Sequence, residues 1–146
     1  MDRSRNIYYN ARISAGLTQE RWAEMLGLSP EAVRQYESDR TLPSDETVAR
    51  MAEISMLAPL GYWHLRHKSR VAKRELPPVD RLPLAQAVVQ LLAAIRDFDE
   101  KHHEDALLRI ASDGRVDPDE EERFRGIVRD LYPLIQAALQ IDYSEK

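Results

Sequence analysis

The stretch from Thr18 to Ser38, TQERWAEMLGLSPEAVRQYES, decides how the first half of this chain folds. Its pattern predicts two short helices joined by a tight turn. Thr18 and Ser29 are good N-caps, because a hydroxyl oxygen can accept a hydrogen bond from the free N–H groups of a first turn. Gly27 predicts the end of the first helix, since the residue after a helix often takes a left-handed backbone. Pro30 suits the first turn of the second helix, where its missing N–H costs nothing.

The apolar residues of this stretch fall three and four apart, which places them on one face of each helix. They are Trp22, Leu26, Leu28, Val33 and Tyr36, with the small Ala23 where the two helices would cross. Helices this short are not stable alone, so the pair must pack against neighbouring helices.

The stretch resembles the helix-turn-helix of the phage-repressor-like (XRE) family of DNA-binding domains. The matching residues are Gln19, Ala23, Gly27, Leu28, Val33, Tyr36 and Glu37, with apolar Trp22 and Leu26 at the expected places. The flanking sequences at residues 15–19 and 37–44 match as well, although Asp39 stands where the family usually has glycine. The resemblance covers residues 6–54 and implies an all-α, five-helix, lambda-repressor-like domain that binds DNA.

The flanking sequence predicts the other helices of a first domain at residues 1–74. One helix covers Asn6 to Ser14. Another follows Ser44, a suitable N-cap, and a fifth covers Leu60 to Lys73. Residues 75–83 contain three prolines and change the sign of the charge, so we expect a linker or a stiff connection between two units there.

Residues 84–146 predict an acidic helical hairpin or three-helix module. Its helices would cover residues 84–101, residues 103–111, and a last segment capped by Asp117 with Pro118 in its first turn and a kink at Pro133. The first of these helices carries one apolar stripe, formed by Leu84, Val88, Leu91, Leu92, Ile95 and Phe98. The stripe could mediate dimerisation, or it could equally close an internal core.

The net charge of −4 is distributed unevenly along the chain. Residues 1–74 hold 12 Lys and Arg against 9 Asp and Glu, a net charge of +3. Residues 75–146 hold 9 against 16, a net charge of −7. Because DNA affinity depends largely on phosphate neutralisation, this distribution predicts modest non-specific binding with strong salt sensitivity.

Several classes of protein are disfavoured by composition. The chain has no cysteine, which removes disulfides and thiolate metal sites. It has no long apolar run that would span a membrane, and its start, MDRSRNIYYN, lacks the apolar core of a signal peptide. These features predict a cytoplasmic protein.

Metal, cofactor and enzyme hypotheses find little support. The turn around Gly114 invites an EF-hand interpretation, but Arg109 and Ala111 would fall at loop positions that require carboxylates. His64 and His67 could share a helix face, yet no third ligand lies nearby in sequence. No serine is paired with a base at a recognisable spacing, so we expect no cofactor and no enzymatic activity.

The second helix of a helix-turn-helix lies in the major groove, so its outward residues are candidates for base contacts. Arg34 could bind guanine with two parallel hydrogen bonds, Gln35 could pair with adenine, and Glu31 could accept from cytosine. We place this helix at residues 30–38, and Ser29, at its N-terminal end, is a further candidate for a base contact. Each of these residues could instead belong to a solvated helix face.

Phosphate contacts set register rather than sequence preference. The resemblance implies such a contact for Gln19, at the start of the first helix of the motif, and Arg40 and Thr41 follow the second helix in the loop. Arg12 and Arg21 are further candidates, although either could pair with Glu24 or Glu37 instead.

The leading hypothesis is a sequence-specific regulator of transcription that binds double-stranded DNA, acts as a repressor and forms a homodimer. Two-fold pairing would place half-sites about 34 Å apart on the DNA. Two alternatives stay open. One is a protein-interaction adaptor with a degenerate helix-turn-helix, favoured by Pro30, Glu31 and the acidic balance. The other is the antitoxin of a toxin–antitoxin pair.

Overall fold

The computed structural model describes residues 5–145, which contain nine α-helices, one 3₁₀ turn and no strand beyond an isolated bridge. Residues 1–4 and 146, at the outer ends of the two predicted domains, lie outside the described residues. The chain divides into two compact units, Met1–Leu76 and Pro77–Lys146. The all-α fold expected from the sequence is confirmed.

Six helices build the first unit. They are α1 (Ile7–Ser14), α2 (Gln19–Leu26), α3 (Pro30–Glu37), α4 (Asp45–Ser55), α5 (Leu60–Lys68) and α6 (Arg70–Glu75). The hydroxyl oxygens of Thr18, Ser29 and Ser44 each accept from the backbone N–H three residues later, at 3.1–3.2 Å, and so cap α2, α3 and α4. Gly27 ends α2 with φ +68°, the left-handed backbone that its position requires.

One apolar core draws side chains from α1 to α5 and from the connection between α4 and α5. Its buried members are Tyr8, Ala11, Trp22, Ala23, Leu26, Val33, Val48, Met51, Leu57 and Leu60. Trp22 is completely buried, so its truncation to alanine would cost about 3–5 kcal/mol of stability. The stripe predicted for α2 and α3 therefore faces this core, which holds the two helices against α1 and α4.

The predicted fifth helix is two helices, because the chain breaks at Ser69. Ser69 has an extended backbone (φ −126°, ψ 120°), and its hydroxyl oxygen accepts from Ala72 N at 3.1 Å. It therefore starts α6 as an N-cap instead of continuing α5. The guanidinium of Arg66 donates to the carbonyls of Lys73 and Leu76 at 3.3 and 3.1 Å, which satisfies free carbonyls at the end of α6.

The second unit consists of α7 (Leu84–Glu100), α8 (His103–Ile110) and α9 (Glu121–Asp142), with the 3₁₀ turn Ala111–Asp113 after α8. The long helices α7 and α9 pack along each other in antiparallel directions. Glu145 N, after the end of α9, donates to Leu82 O at 3.0 Å, and Lys101 Nζ, after α7, lies 3.0 Å from Asp130 Oδ2. Helix α8 packs on both.

One local expectation for this unit, the start of its last helix, needs correction. Asp117 and Pro118 precede α9, which begins at Glu121 because residues 118–120 form a separate turn. The Glu120 carboxylate still accepts from Asp117 N at 3.1 Å, as a capping box would. Residues 77–83, in the proline-rich segment before α7, belong to the second unit, where Val79 is buried and Gln136 of α9 donates to Pro78 O at 2.9 Å.

The apolar residues of α7 lie on two adjacent faces instead of one stripe. Ala87 is buried and Leu91, Ala94 and Phe98 are half-buried, so this face packs within the unit. The other apolar residues of the predicted stripe are exposed, namely Leu84, Val88, Leu92 and Ile95. Helix α7 therefore has more apolar residues than the face that packs within the unit can bury.

No helix within residues 5–145 combines the length and the apolar character that crossing a bilayer demands.

Candidate nucleic-acid interface

Helix α3 presents a continuous polar face to solvent. Its apolar side is anchored by Val33, which is buried, and by Tyr36, which packs against the core. Asn6, the N-cap of α1, donates to the Tyr36 carbonyl at 2.6 Å and so ties the end of α3 to α1. With its inner side fixed in this way, α3 exposes Glu31 and Arg34, and Gln35 is half-buried beside them.

Glu31, Arg34 and Gln35 form one hydrogen-bonded group on the outer face of α3. Arg34 Nε donates to Glu31 Oε2 at 3.0 Å, and Arg34 Nη2 lies 2.9 Å from the same oxygen. Gln35 Nε2 donates weakly to Glu31 Oε1 at 3.4 Å. The hydrogen bond from Arg34 lowers the pKa of the Glu31 carboxyl, which is therefore ionised at neutral pH. The side chains of Arg34 and Glu31 are 49% and 56% exposed, and such pairs are worth little. The two side chains can therefore give up their ion pair and contact base edges instead, at low cost in free energy.

Ser29 occupies the start of this face. Its hydroxyl oxygen accepts from Ala32 N at 3.1 Å, so the residue serves first as the cap of α3. A hydroxyl can donate while its oxygen accepts, so the Ser29 O–H is the group with which this residue could contact DNA.

Three helices meet at a buried ion pair behind the polar face. Arg12 of α1 donates to Glu37 of α3 through Nε and Nη2, at 2.6 and 3.1 Å, and the two side chains are 9% and 7% exposed. Arg12 Nη1 also donates to Leu17 O at 2.8 Å, and Gln19 Nε2 of α2 donates to Glu37 Oε2 at 2.8 Å. This hydrogen bonding with Glu37 is the main cause of the raised pKa of Arg12.

Two of the residues considered for phosphate contacts therefore belong to this network. Arg12 is buried and not on the surface that a phosphate contact requires, because each of its nitrogens donates within the domain. Gln19 is half-buried, and its amide nitrogen has a second N–H that a phosphate could accept. The sequence allowed the pairing of Arg12 with Glu37 but gave no reason to prefer it over a surface position.

The other phosphate candidates are exposed. Arg21 lies on α2 and pairs with Glu24 at 2.5 Å. Arg40 and Thr41 follow α3, and their backbone N–H groups donate to Gln35 O at 3.0 and 3.4 Å. Their position is thus fixed to the last turn of the helix that carries the polar face.

Asp39 fixes the same loop from the other side. It has a left-handed backbone with φ 57°, the conformation for which the family usually has glycine. Its carboxylate accepts from Asn6 Nδ2 at 3.0 Å and lies 2.8 Å from His67 Nε2 of α5. These contacts, which the sequence pattern did not indicate, hold the loop that carries Arg40.

A second polar cluster joins α5 to α1 and α4. Buried His64 lies 2.7 Å from the Tyr8 hydroxyl through Nδ1 and 3.1 Å from Asp45 Oδ1 through Nε2. Lys68 also donates to Asp45. Burial lowers the pKa of His64, which favours the neutral imidazole with Nε2–H donating to Asp45. His64 thus has a packing role, and no group of three or more acidic or histidine side chains within residues 5–145 could hold a metal ion.

Comparison with known proteins agrees with this arrangement. Residues 9–54, from α1 to the end of α4, match the protein-family model described as helix-turn-helix. The chain carries an XRE-type helix-turn-helix domain. Proteins of this helix-turn-helix family are DNA-binding regulators and are generally not enzymes. No curated protein and no solved structure matches the chain.

Proposed function

We propose that this helix-turn-helix protein is a sequence-specific regulator of transcription that reads the major groove of double-stranded DNA with α3. The observation that carries the proposal is the hydrogen-bonded group of exposed Glu31 and Arg34 with half-buried Gln35. It lies on a helix whose other side is fixed by Val33 and Glu37. Arginine and glutamine read guanine and adenine through paired hydrogen bonds, and glutamate accepts from cytosine. Such contacts require a helix that is held rigidly, as the inner side of α3 is.

Residues for backbone contacts flank this face. Arg40 and Thr41 are held to the end of α3, and Arg21 and Gln19 lie in the first turn of α2. The two arginines would neutralise phosphates, the neutral Thr41 and Gln19 would donate hydrogen bonds to them, and together these contacts would fix the register of α3 in the groove. Arg12 supports the proposal indirectly, by positioning Glu37 and hence α3.

A regulator with one short recognition helix reads few base pairs, so the proposal includes a homodimer on a two-fold symmetric site. The simplest mode of action is repression, because a protein that occupies the major groove of a promoter excludes other proteins from it. A reporter gene behind the selected site tests this mode: expression should fall when the protein is produced, and a rise would indicate an activator.

The decisive experiment is selection from a random pool of duplex DNA, followed by titration of the selected site at two salt concentrations. Wild type is compared with the double variant Arg34→Ala, Gln35→Ala. We expect an enriched palindrome and a loss of about 1–3 kcal/mol for each good contact removed. The double variant Arg123→Ala, Gln90→Ala removes the same residue types from exposed positions of the second unit and should bind like wild type.

A failure of this experiment also has a clear meaning. If wild type enriches no sequence and does not bind duplex DNA even at low salt, the DNA-reading proposal is wrong. The adaptor hypothesis would then be preferred. The Glu31–Arg34 pair would be an ordinary surface ion pair, and the acidic second unit would bind the protein partner.

A further inference from the structure

The net positive charge of the first 74 residues comes entirely from residues 60–74, which cover α5 and most of α6. Residues 1–59 hold 7 Lys and Arg against 9 Asp and Glu, a net charge of −2. Residues 60–74 hold 5 Lys and Arg and no acidic residue, a net charge of +5. The matched helix-turn-helix ends at residue 54, so this positive charge lies outside it. Because DNA affinity depends largely on phosphate neutralisation, a helix-turn-helix of net negative charge needs cations from elsewhere.

Two of these five cations already have partners within the first unit. The guanidinium of Arg66 donates to the carbonyls of Lys73 and Leu76, which holds the end of α6 against α5. Lys68 donates to the carboxylate of Asp45, at the start of α4. These two side chains therefore hold the helices in place and are not available to a ligand.

The other three cations, Arg70, Lys73 and Arg74, are exposed on α6, and we refer to them as the basic face. Residues three and four apart share one side of a helix, so the three side chains project together. Within residues 5–145, Arg70 and Lys73 form no ion pair, and Arg74 pairs only with its exposed neighbour Glu75, at 2.6 Å. An exposed pair of this kind contributes little to stability and is easily given up.

The position of Arg70 has no explanation within the described part of the chain. Lys73 and Arg74 lie in the last turn of α6, where cations suit the negative end of the helix dipole. Arg70 lies in the first turn, where a positive charge is unfavourable, and like charges three and four residues apart on a helix repel each other. The basic face therefore destabilises α6, and an anion from outside the chain would offset that cost.

The contacts of α5 bring the basic face close to the loop that follows α3. His67 Nε2 lies 2.8 Å from Asp39 Oδ1, and Asp39 directly precedes Arg40, a candidate for a phosphate contact. Arg70 follows His67 by three residues, so the Cα atoms of these two residues are at most about 11 Å apart. Duplex DNA carries one negative charge for about every 1.7 Å of its axis, so cations this close to one phosphate contact lie within reach of further phosphates.

We propose that the basic face is a second phosphate-binding surface for duplex DNA, which contacts the backbone beside the groove that α3 occupies. Phosphate contacts carry no sequence information directly, so this surface adds affinity and salt sensitivity without adding sequence preference. Its place beside α3 on the DNA rests on the proposed function. The binding of phosphates by the basic face can be measured on a duplex of any sequence.

The test is titration of a mixed-sequence duplex at a series of salt concentrations, with wild type and the triple variant Arg70→Gln, Lys73→Gln, Arg74→Gln. Each phosphate contact contributes about 0.9 to the slope of log K against log salt, so the triple variant should lose about 2.7 from this slope. Lowering the salt about four-fold should then strengthen wild-type binding about 40-fold more than it strengthens binding by the variant. The affinity ratio between a selected site and its single-base variants should stay as in wild type.

Two further variants separate the basic face from a general effect of charge. Arg96→Gln, Arg123→Gln, Arg129→Gln removes the same charge from exposed positions of the second unit and should keep the wild-type salt slope. Arg70→Lys, Arg74→Lys keeps every charge of the basic face and should also keep that slope. Glutamine is a good helix former, so circular dichroism should show that the triple variant of α6 is folded.

The inference is overturned if the triple variant of α6 keeps the wild-type salt slope. It is also overturned if the variant of the second unit, or the variant that keeps the charges, loses as much slope as the triple variant. A wild type that binds no duplex even at low salt would contradict the basic face and the proposed function together.

The sequence selection distinguishes this inference from the proposed function. If the salt slope falls in the triple variant but no sequence is enriched, the basic face binds phosphates and the reading of bases by α3 is wrong. If a site is enriched that requires Arg34 and Gln35, and the triple variant binds it with the wild-type slope, then α3 reads bases and the basic face does not contact DNA.

Discussion

Arg12 and Glu37 join the first and third helices through a buried, bidentate ion pair, with Nε–Oε1 and Nη2–Oε2 distances of 2.6 and 3.1 Å. Taking two charges out of water is costly, and good geometry together with further hydrogen bonds offsets that cost. Here Leu17 O and the Gln19 amide supply those bonds. The pair therefore fixes the end of α3 relative to α1 and α2.

Breaking this pair should strongly destabilise the first unit. We expect Glu37→Gln to lower the free energy of unfolding by about 3 kcal/mol, because it leaves the Arg12 charge buried without its partner. Both tryptophans, Trp22 and Trp63, lie in the first unit, so their fluorescence during urea unfolding reports on this unit.

The same substitution at an exposed pair provides the control. Glu24→Gln removes the partner of Arg21, whose side chain is largely exposed, and should change stability by less than about 1 kcal/mol. If both variants lost the same free energy of unfolding, the contribution of the Arg12–Glu37 pair to stability would not depend on its burial.

The sequence predicted much of this fold because local signals and burial agree along α1 to α4. Thr18, Ser29 and Ser44 are caps, and the apolar spacing around Trp22 and Val33 specifies the inward faces. Where a choice depended on distant partners, local signals were not enough. Ser69 is an ordinary helix residue or a cap depending on whether the following turn has a place to dock, and the sequence alone favoured an unbroken helix.

The candidate site divides in the same way. The outward positions Glu31, Arg34 and Gln35 follow from helical period, but their mutual hydrogen bonds do not. Whether Arg12 faces solvent or the Glu37 carboxylate depends on how α1 crosses α3, a property of the whole domain. On α7, period alone could not decide which of two adjacent apolar faces packs inside.

The environment of His64 predicts a dependence of stability on pH. Burial holds the folded pKa of His64 below 6.5, so between those two values the unfolded chain binds more protons than the folded chain. The free energy of unfolding should therefore decrease as the pH falls below 6.5, until the folded pKa is reached. Urea unfolding followed by tryptophan fluorescence at a series of pH values from 8 to about 5 measures this.

Replacing the histidine identifies its share of that dependence. His64→Gln cannot take up the proton and should show a flatter pH dependence than wild type, whatever its stability at pH 8. His102→Gln, at an exposed position of the second unit, is the matched control, because both tryptophans report on the first unit. An unchanged slope in His64→Gln would mean that His64 does not titrate in this range.

Asp39 should tolerate glycine better than alanine. Both substitutions remove the hydrogen bond from Asn6 and the contact with His67, but alanine must also hold the left-handed backbone of φ 57°. That conformation costs an ordinary L-residue about 1–2 kcal/mol, which glycine avoids. Urea unfolding should therefore rank Asp39→Ala as the less stable variant by about 1 kcal/mol.

The comparison also tests how the loop is held. If Asp39→Gly were as stable as wild type, the contacts of the carboxylate would contribute nothing beyond compensating for the backbone. If alanine and glycine were equally stable, the loop would have relaxed out of the left-handed conformation, and Arg40 would no longer be held as in the wild type.

The Glu31–Arg34 pair predicts how DNA affinity and specificity separate. In Glu31→Gln, Arg34 loses its ionised partner and α3 loses a charge that repels phosphate. We expect tighter binding to all duplexes at low salt together with poorer discrimination at the base that Glu31 contacts, by about 1–3 kcal/mol. Titrations with the selected site and with single-base variants measure both quantities.

Arg40→Ala should behave differently, weakening every duplex alike and reducing the salt slope by about one. If Glu31→Gln weakened binding uniformly as well, Glu31 would act by positioning Arg34 and not by reading a base.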